Sequence, residues 1–403
     1  MIWGGMVDVM NMKQIVFLVV VVLAAMVPAV AAQGPAVVEG YTGVTQLDAS
    51  TWEAATLSLS PSGGDFTGTW TQMTASAEWS KRNRHTSVVL FDGSIVLMGG
   101  NDANTSYNDV WRSTDRGATW TQMTANAGWE PRASNTSVVL PDDSIVLMGG
   151  CEHFTNARYN DVWRSTDQGA TWIQMTANAG WSGRELPISV ALSDGSIILM
   201  GGDDGDSRKN DVWRSTDQGA TWARLTAKAD WKARYGHKNV VALSDDTIIL
   251  MGGVGSNWYN DIWKSTTRGA TWMQVTADAE WTKRGGHEAF ALSDDSIILM
   301  GGNDANICYN DVWRSTDRGA TWTQMTANAA WSPRTTFTGV IFPDDSIVLM
   351  GGYSGDDHRL NDIWCLETGI QSSIATALSV PYIHQVYDTP TGFNGEAACS
   401  ETS

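Results

Sequence analysis

Cysteine is scarce. The 403-residue chain has four, too few to staple a fold of this length as a disulfide framework would. Proline is rare as well: ten residues against 40 glycines and 21 tryptophans, a balance that describes turns and aromatics. Positive charge is short, with 26 Lys and Arg against 44 Asp and Glu and a net charge of −18. That excludes nucleic acid, which selects basic surfaces through counterion release, and a peripheral role on anionic lipid. Helical periodicity is missing throughout. Long apolar runs are missing too, with one exception near the N-terminus. At 42% hydrophobic residues the chain can still bury a core, which excludes wholesale disorder.

The exception runs from Ile15 to Ala32, preceded by Lys13 and ending in Ala29-Val30-Ala31. A positive start, an apolar stretch and a small-residue end match a cleavable signal peptide over 1–31, and Pro28 favours cleavage. An uncleaved N-terminal anchor is the alternative, and Met10 or Met12 offers an alternative start. The expected location is extracellular or at the cell surface, with no membrane span once the signal is removed. Residues 32–68 read as an irregular segment.

Gly-Gly pairs then recur at 99–100, 149–150, 201–202, 252–253, 301–302 and 351–352, a period that signals a propeller or solenoid. In the first copy the apolar runs Thr86–Leu90 and Ser94–Met98 flank an Asp-rich tight turn, a hairpin signature. Asn108–Arg112 and Thr119–Met123 make two more short strands. Four short strands per unit describe one blade of a β-propeller. The sixth copy reaches Asn361-Asp362-Ile363-Trp364-Cys365 and then lacks the fourth strand, which stands before the first copy as Gly68-Thr69-Trp70-Thr71-Gln72-Met73-Thr74. The expected fold is therefore all-β: a six-bladed β-propeller of four-stranded antiparallel blades over 69–370, closed by an N-terminal strand. A tail over 371–403 follows. The wheel is read as a monomer.

The pattern of Arg, short strand, Asp-Gly or Asp-Asp turn, strand ending in Gly-Gly, then Asn-Asp-Val-Trp and a second Trp resembles kelch repeats, as in the central domain of galactose oxidase. The turn Ser113-Thr114-Asp115-Arg116-Gly117-Ala118-Thr119-Trp120 is similar to the Asp-box (BNR repeat) of sialidase-like propellers. It recurs around Asp167, Asp217 and Asp317, while Thr267 replaces the aspartate in the fourth blade. These four aspartates are read as structural, since Ser and Asp can accept bonds from turn amides. The resemblance implies the fold, but both families carry many functions on one scaffold.

Residues present in every blade are assigned to packing. Eighteen tryptophans fall at three repeating positions, suited to burial with the indole N–H on a backbone carbonyl. The arginines at 82, 132, 184, 234, 284 and 334 are expected in salt bridges or carbonyl contacts rather than in a sialidase-like triad. His85, His237 and His287 share one position, but sit in blades that do not form an adjacent trio, which argues against a metal set. No Cys–Tyr pair is placed for a galactose-oxidase-like copper. Cys151 and Cys308 fall too far round the ring to pair, whereas Cys365 and Cys399 could tie the tail to the last blade.

Function is sought where the copies differ. The connections between strands two and three vary most, and loops on a rigid scaffold concentrate binding residues. They supply Asp102, Glu152, His153, Asp203, Asp204, Asp206, Trp258, Asp304, Asp356, Asp357 and His358. Acidic oxygens with one tryptophan suit a cationic partner, a Ca²⁺-assisted contact or a sugar stacked on indole. No catalytic residue, metal site or cofactor is assigned; calcium or copper is the alternative. The expected function is an exported propeller that binds an extracellular protein or a glycan through these loops. The alternatives are a galactose-oxidase-like or sialidase-like enzyme and a structural cell-surface protein.

Overall fold

In the computed structural model the described residues are 68–236, 238–355 and 358–367. The expected signal segment, most of 32–68 and the tail with Cys399 lie outside them, as do His237, Asp356 and Asp357. The backbone forms six four-stranded antiparallel sheets. In the first, Thr86–Val89, Ile95–Met98, Val110–Ser113 and Thr121–Thr124 lie side by side in chain order. Its first turn is built by Asp92, whose carboxylate accepts from the Ser94 amide at 2.8 Å and the Ser94 hydroxyl at 2.6 Å. The next residue must turn left-handed: Gly93 has φ 79°, and Asp143, Asp246, Asp295 and Asp345 hold φ 63° at the same place in other blades.

Innermost strands of neighbouring blades touch in sequence, and the first touches both the second and the sixth, so the wheel closes. The outer strand of the sixth blade is Thr69–Thr74, which pairs Trp70 with Leu366 and Gln72 with Trp364 against Arg359–Glu367. The tryptophans carry the same statement. Trp120 meets Trp79 edge-on at 6.1 Å, the contact repeats at Trp172–Trp129, Trp222–Trp181, Trp272–Trp231 and Trp322–Trp281, and Trp70–Trp331 completes it at 5.7 Å.

The core lies between blades. Strand two of the first blade is fully buried on both faces. Ile95 and Leu97 pack on Val340, Phe342, Val348 and Met350 of the sixth blade, while Val96 and Met98 pack on Ile145 and Leu147 of the second. A strand sandwiched in this way needs an unbroken apolar run, as SIVLM supplies. The turns after strand three in the first five blades, four of them Ser-x-Asp, seat against the preceding blade. Ser113 Oγ accepts from the Gly117 amide at 2.8 Å, and Asp115 accepts from the Thr119 amide and hydroxyl at 2.9 and 2.6 Å. Asp167, Asp217 and Asp317 repeat this with Thr171, Thr221 and Thr321. In the fourth blade the Thr267 hydroxyl accepts from the Thr271 amide instead, at 2.9 Å. A Cβ on Gly117 would sit 2.7 Å from the Ile363 side chain of the preceding blade, so only glycine lets the turn seat there.

Candidate functional site

Each blade sends two connections to one face of the wheel, and backbone bridges tie them together. Asn83 pairs with Asn101, Ala133 with Cys151, Glu185 with Asp203, Tyr235 with Val254, Gly285 with Asn303 and Thr335 with Tyr353. The residue after five of these first partners turns left-handed. Arg84, Ser134, Leu186, Gly286 and Thr336 all have φ between 48° and 62°, and their peptides form a collar. The Thr336 amide donates to Gly286 O, Arg84 to Thr336 O, Ser134 to Arg84 O and Leu186 to Ser134 O, at 2.8–2.9 Å.

The collar breaks at the fourth blade, where one extra residue stands between Arg234 and Leu243 relative to Arg82 and Leu90. The insertion turns Lys238 into the lumen with φ 37°. Its ammonium donates to Ser87 O at 2.6 Å and Gly339 O at 3.0 Å, on the first and sixth blades. Burial pushes the Lys238 amine down, against the attraction of Glu288.

A cavity of about 390 Å³ is lined by residues of the connections that lead from strand four to the next blade and of the loops between strands two and three, among them Asn83, Arg84, Asn101, His153, Tyr235, Trp258, Asn303 and Arg359. A second recess of about 270 Å³ shares Arg84, His153, Leu186 and Tyr235 with it, and adds Glu185, Asp203 and Arg208. The electrostatics of the mouth run against the charge of the chain. Among the described residues every arginine except Arg84, Arg224 and Arg359 is in a salt bridge with a carboxylate. Arg224 lies over Trp213. Arg84 and Arg359 both line the mouth, and Arg359 Nε is buried without a hydrogen-bond partner. Asn83 and Asn101, 8% and 2% exposed, line the same cavity with unpartnered Oδ1 atoms. His153 is held below its usual value by burial and by the positive Arg84 and Arg359, with Glu185 and Glu152 pulling the other way.

The residues singled out from the sequence divide. His153 and Trp258 line the mouth and Asp203 the recess. Trp258 belongs to a strand, Trp258–Ser265, paired with Val254, rather than to a loop. Most of the acids are engaged in their own loops. Asp102 accepts from the Tyr107 hydroxyl at 2.6 Å and the amides of Asn104 and Thr105 at 2.7 Å, and these bonds hold its carboxyl low although burial works to raise it. Asp304 repeats the arrangement with Tyr309, Asn306 and Ile307. Asp204 is down to about 2, where burial is outweighed by Lys209 and the Ser207 amide. Glu152 accepts from the Ser106 hydroxyl at 3.0 Å, and Asp206 and His358 are exposed.

Sequence reasoning passed over the two residues after each repeated arginine. They read Asn-Arg, Ala-Ser, Glu-Leu, Tyr-Gly, Gly-Gly and Thr-Thr from 83–84 to 335–336. No two blades agree there, inside copies that otherwise nearly coincide, and that divergence was the available signal. The repeated arginines themselves are structural. Arg82 is fully buried, donates to Gly99 O at 2.8 Å, holds both oxygens of Asp109 at 2.6 and 2.9 Å, and lies 4.1 Å from the centre of the Tyr107 ring. Asp109 also accepts from the Trp111 indole at 2.8 Å. His85 and His287 are buried against Trp79 and Trp281. Among the described residues no disulfide forms, and no three His, Cys, Asp or Glu converge as metal ligands. No helix among them is long and apolar enough to cross a membrane.

Residues 187–374 match the KLHDC2/KLHL20/DRC7 Kelch-repeats domain, and residues 108–252 match the sortilin (neurotensin receptor 3) family model. No curated protein matches the chain. Among solved structures YjhT is similar, with a TM-score of 0.59 at 14% identity, covering 72% of this chain and 96% of that one. The sortilin match is compatible with the Ser-x-Asp turns of a sialidase-like propeller. With six closed four-stranded blades the described chain is a six-bladed β-propeller, and its second half matches a kelch-repeats domain.

Proposed function

We propose that the protein is an exported binding module whose mouth captures an anionic, carboxylate-bearing group of an extracellular protein or glycan. The observation that carries this reading is the pair Arg84 and Arg359. Two guanidinium groups line one cavity without a carboxylate partner, in a chain with 18 negative charges in excess. Arginine offers a planar fork that matches a carboxylate, and such a ligand would supply the acceptor that Arg359 Nε lacks. Trp258 adds an aromatic edge for the apolar part of the same ligand. Neither a metal nor a cofactor is required. The loop acids act mainly by shaping this face, and Asp203 in the recess sets a negative border.

An array of peptides with free and amidated C-termini, together with acidic and neutral glycans, tests this on the mature chain. Capture should favour free carboxylates and fall at least about tenfold in Arg84→Gln/Arg359→Gln, with an unchanged melting temperature. Equal capture of carboxylates and their amides would end the proposal.

A further inference from the structure

A second charged surface stands apart from the mouth. A groove of about 520 Å³ lies along the seam between the third and fourth blades, lined by Arg208, Lys228, Asp230, Lys232, Ser256 and Tyr259, with Trp231 behind. The outer strand of the third blade and the segment after it read ARLTAKADWKAR, from Ala223 to Arg234. Where this copy has Arg224, the other five have glutamine, at 72, 122, 174, 274 and 324. Lys228 replaces Ser76, Asn126, Asn178, Asp278 and Asn328, and Lys232 replaces Ser80, Glu130, Ser182, Thr282 and Ser332. Three positions that are neutral or acidic in every other blade are basic in this one. Packing does not demand the change, since Lys228 and Lys232 are exposed and Trp231 is as buried as its counterparts.

We propose that this seam docks an acidic peptide segment of a protein partner. Arg208, Lys228 and Lys232 outnumber Asp230, and no salt bridge engages either lysine. Flexible lysine stems suit the scattered carboxylates of an extended chain. A sugar would want an open aromatic face, but Trp231 is 0% and Tyr259 8% exposed. Ala229, Ala233 and Ser256 leave room for a backbone to approach. Arg208 also lines the recess beside the mouth.

Fluorescence anisotropy with the full mature chain tests this. The probe is a fluorescein-labelled hexapeptide of alternating glutamate and aspartate, amidated at its C-terminus so that it offers the mouth no terminal carboxylate. Its control is the glutamine–asparagine counterpart. The acidic probe should bind, weaken as salt rises, and weaken at least about tenfold in Lys228→Gln/Lys232→Gln, with melting unchanged. Arg84→Gln/Arg359→Gln should leave this binding intact, which separates the groove from the mouth. Equal binding of the neutral peptide, an undiminished affinity in the lysine variant, or loss confined to the mouth variant would overturn the proposal. So would a sulfated oligosaccharide that needs these lysines while the peptide does not bind.

Discussion

Arg82 and its five counterparts show how one residue can look catalytic and be mechanical. Each guanidinium is enclosed by a carboxylate, a glycine carbonyl and, in four blades, a tyrosine ring. Removing the partner leaves a buried charge, so Asp109→Ala should cost about 3–5 kcal/mol in denaturant unfolding. The repetition made this role readable in the sequence. The loop acids were harder, because an aspartate that closes its own turn and one that waits for a ligand are the same letter; only the placement of Tyr107 and the Asn104 amide separates them. Their titration has a direction. Asp204 and Asp245 are down to about 2, and Asp211 and Asp362 are lowered as their bonds to Arg184 and Arg334 outweigh burial. A carboxyl lower in the folded state than its free value of about 3.9 adds stability above that value and loses it as pH falls toward 2. Urea melts should therefore hold nearly level down to about pH 5 and decline below pH 4. Asp143, raised by burial, works weakly the other way.

At the level of the hairpin, the left-handed turn residue also reaches across the seam. Asp143 accepts from the Phe91 amide at 2.9 Å, and Asp246, Asp295 and Asp345 accept from the amides of Ser193, Ser244 and Ser293 at 2.8 Å. In the third blade the turn residue is Gly195, and facing it is Pro141, 3.5 Å from where a Cβ would stand. A carboxylate is missing where the neighbour has no N–H to give. Position 93 is likewise glycine, and 343 is proline. Asp295→Ala should cost about 1.5–3 kcal/mol. Gly195→Asp should gain nothing alone and should stabilise only when Pro141→Ser supplies the donor, a difference that a double-mutant cycle reads directly. The hairpins were plain from the short apolar runs on either side of each Asp-rich turn. This pairing across the seam was not, because its partners lie about 50 residues apart in sequence.

The closed wheel was legible as a whole, because a strand missing from the sixth copy stood spare before the first. Deleting 68–74 should strip Arg359–Glu367 of its neighbour and Trp331 of Trp70, giving early melting and self-association by light scattering. The mouth was less legible: variable length drew the eye to the loops between strands two and three, while much of the cavity is lined by residues that follow the repeated arginines and change identity from blade to blade. The proline–glycine matching described above bears on how such a chain assembles. Near-copies risk docking in the wrong order or onto another molecule. Two kinds of seam, one bonded and one mute, act as lock and key between sectors: a misplaced neighbour would set an aspartate against a proline ring and leave its charge unanswered.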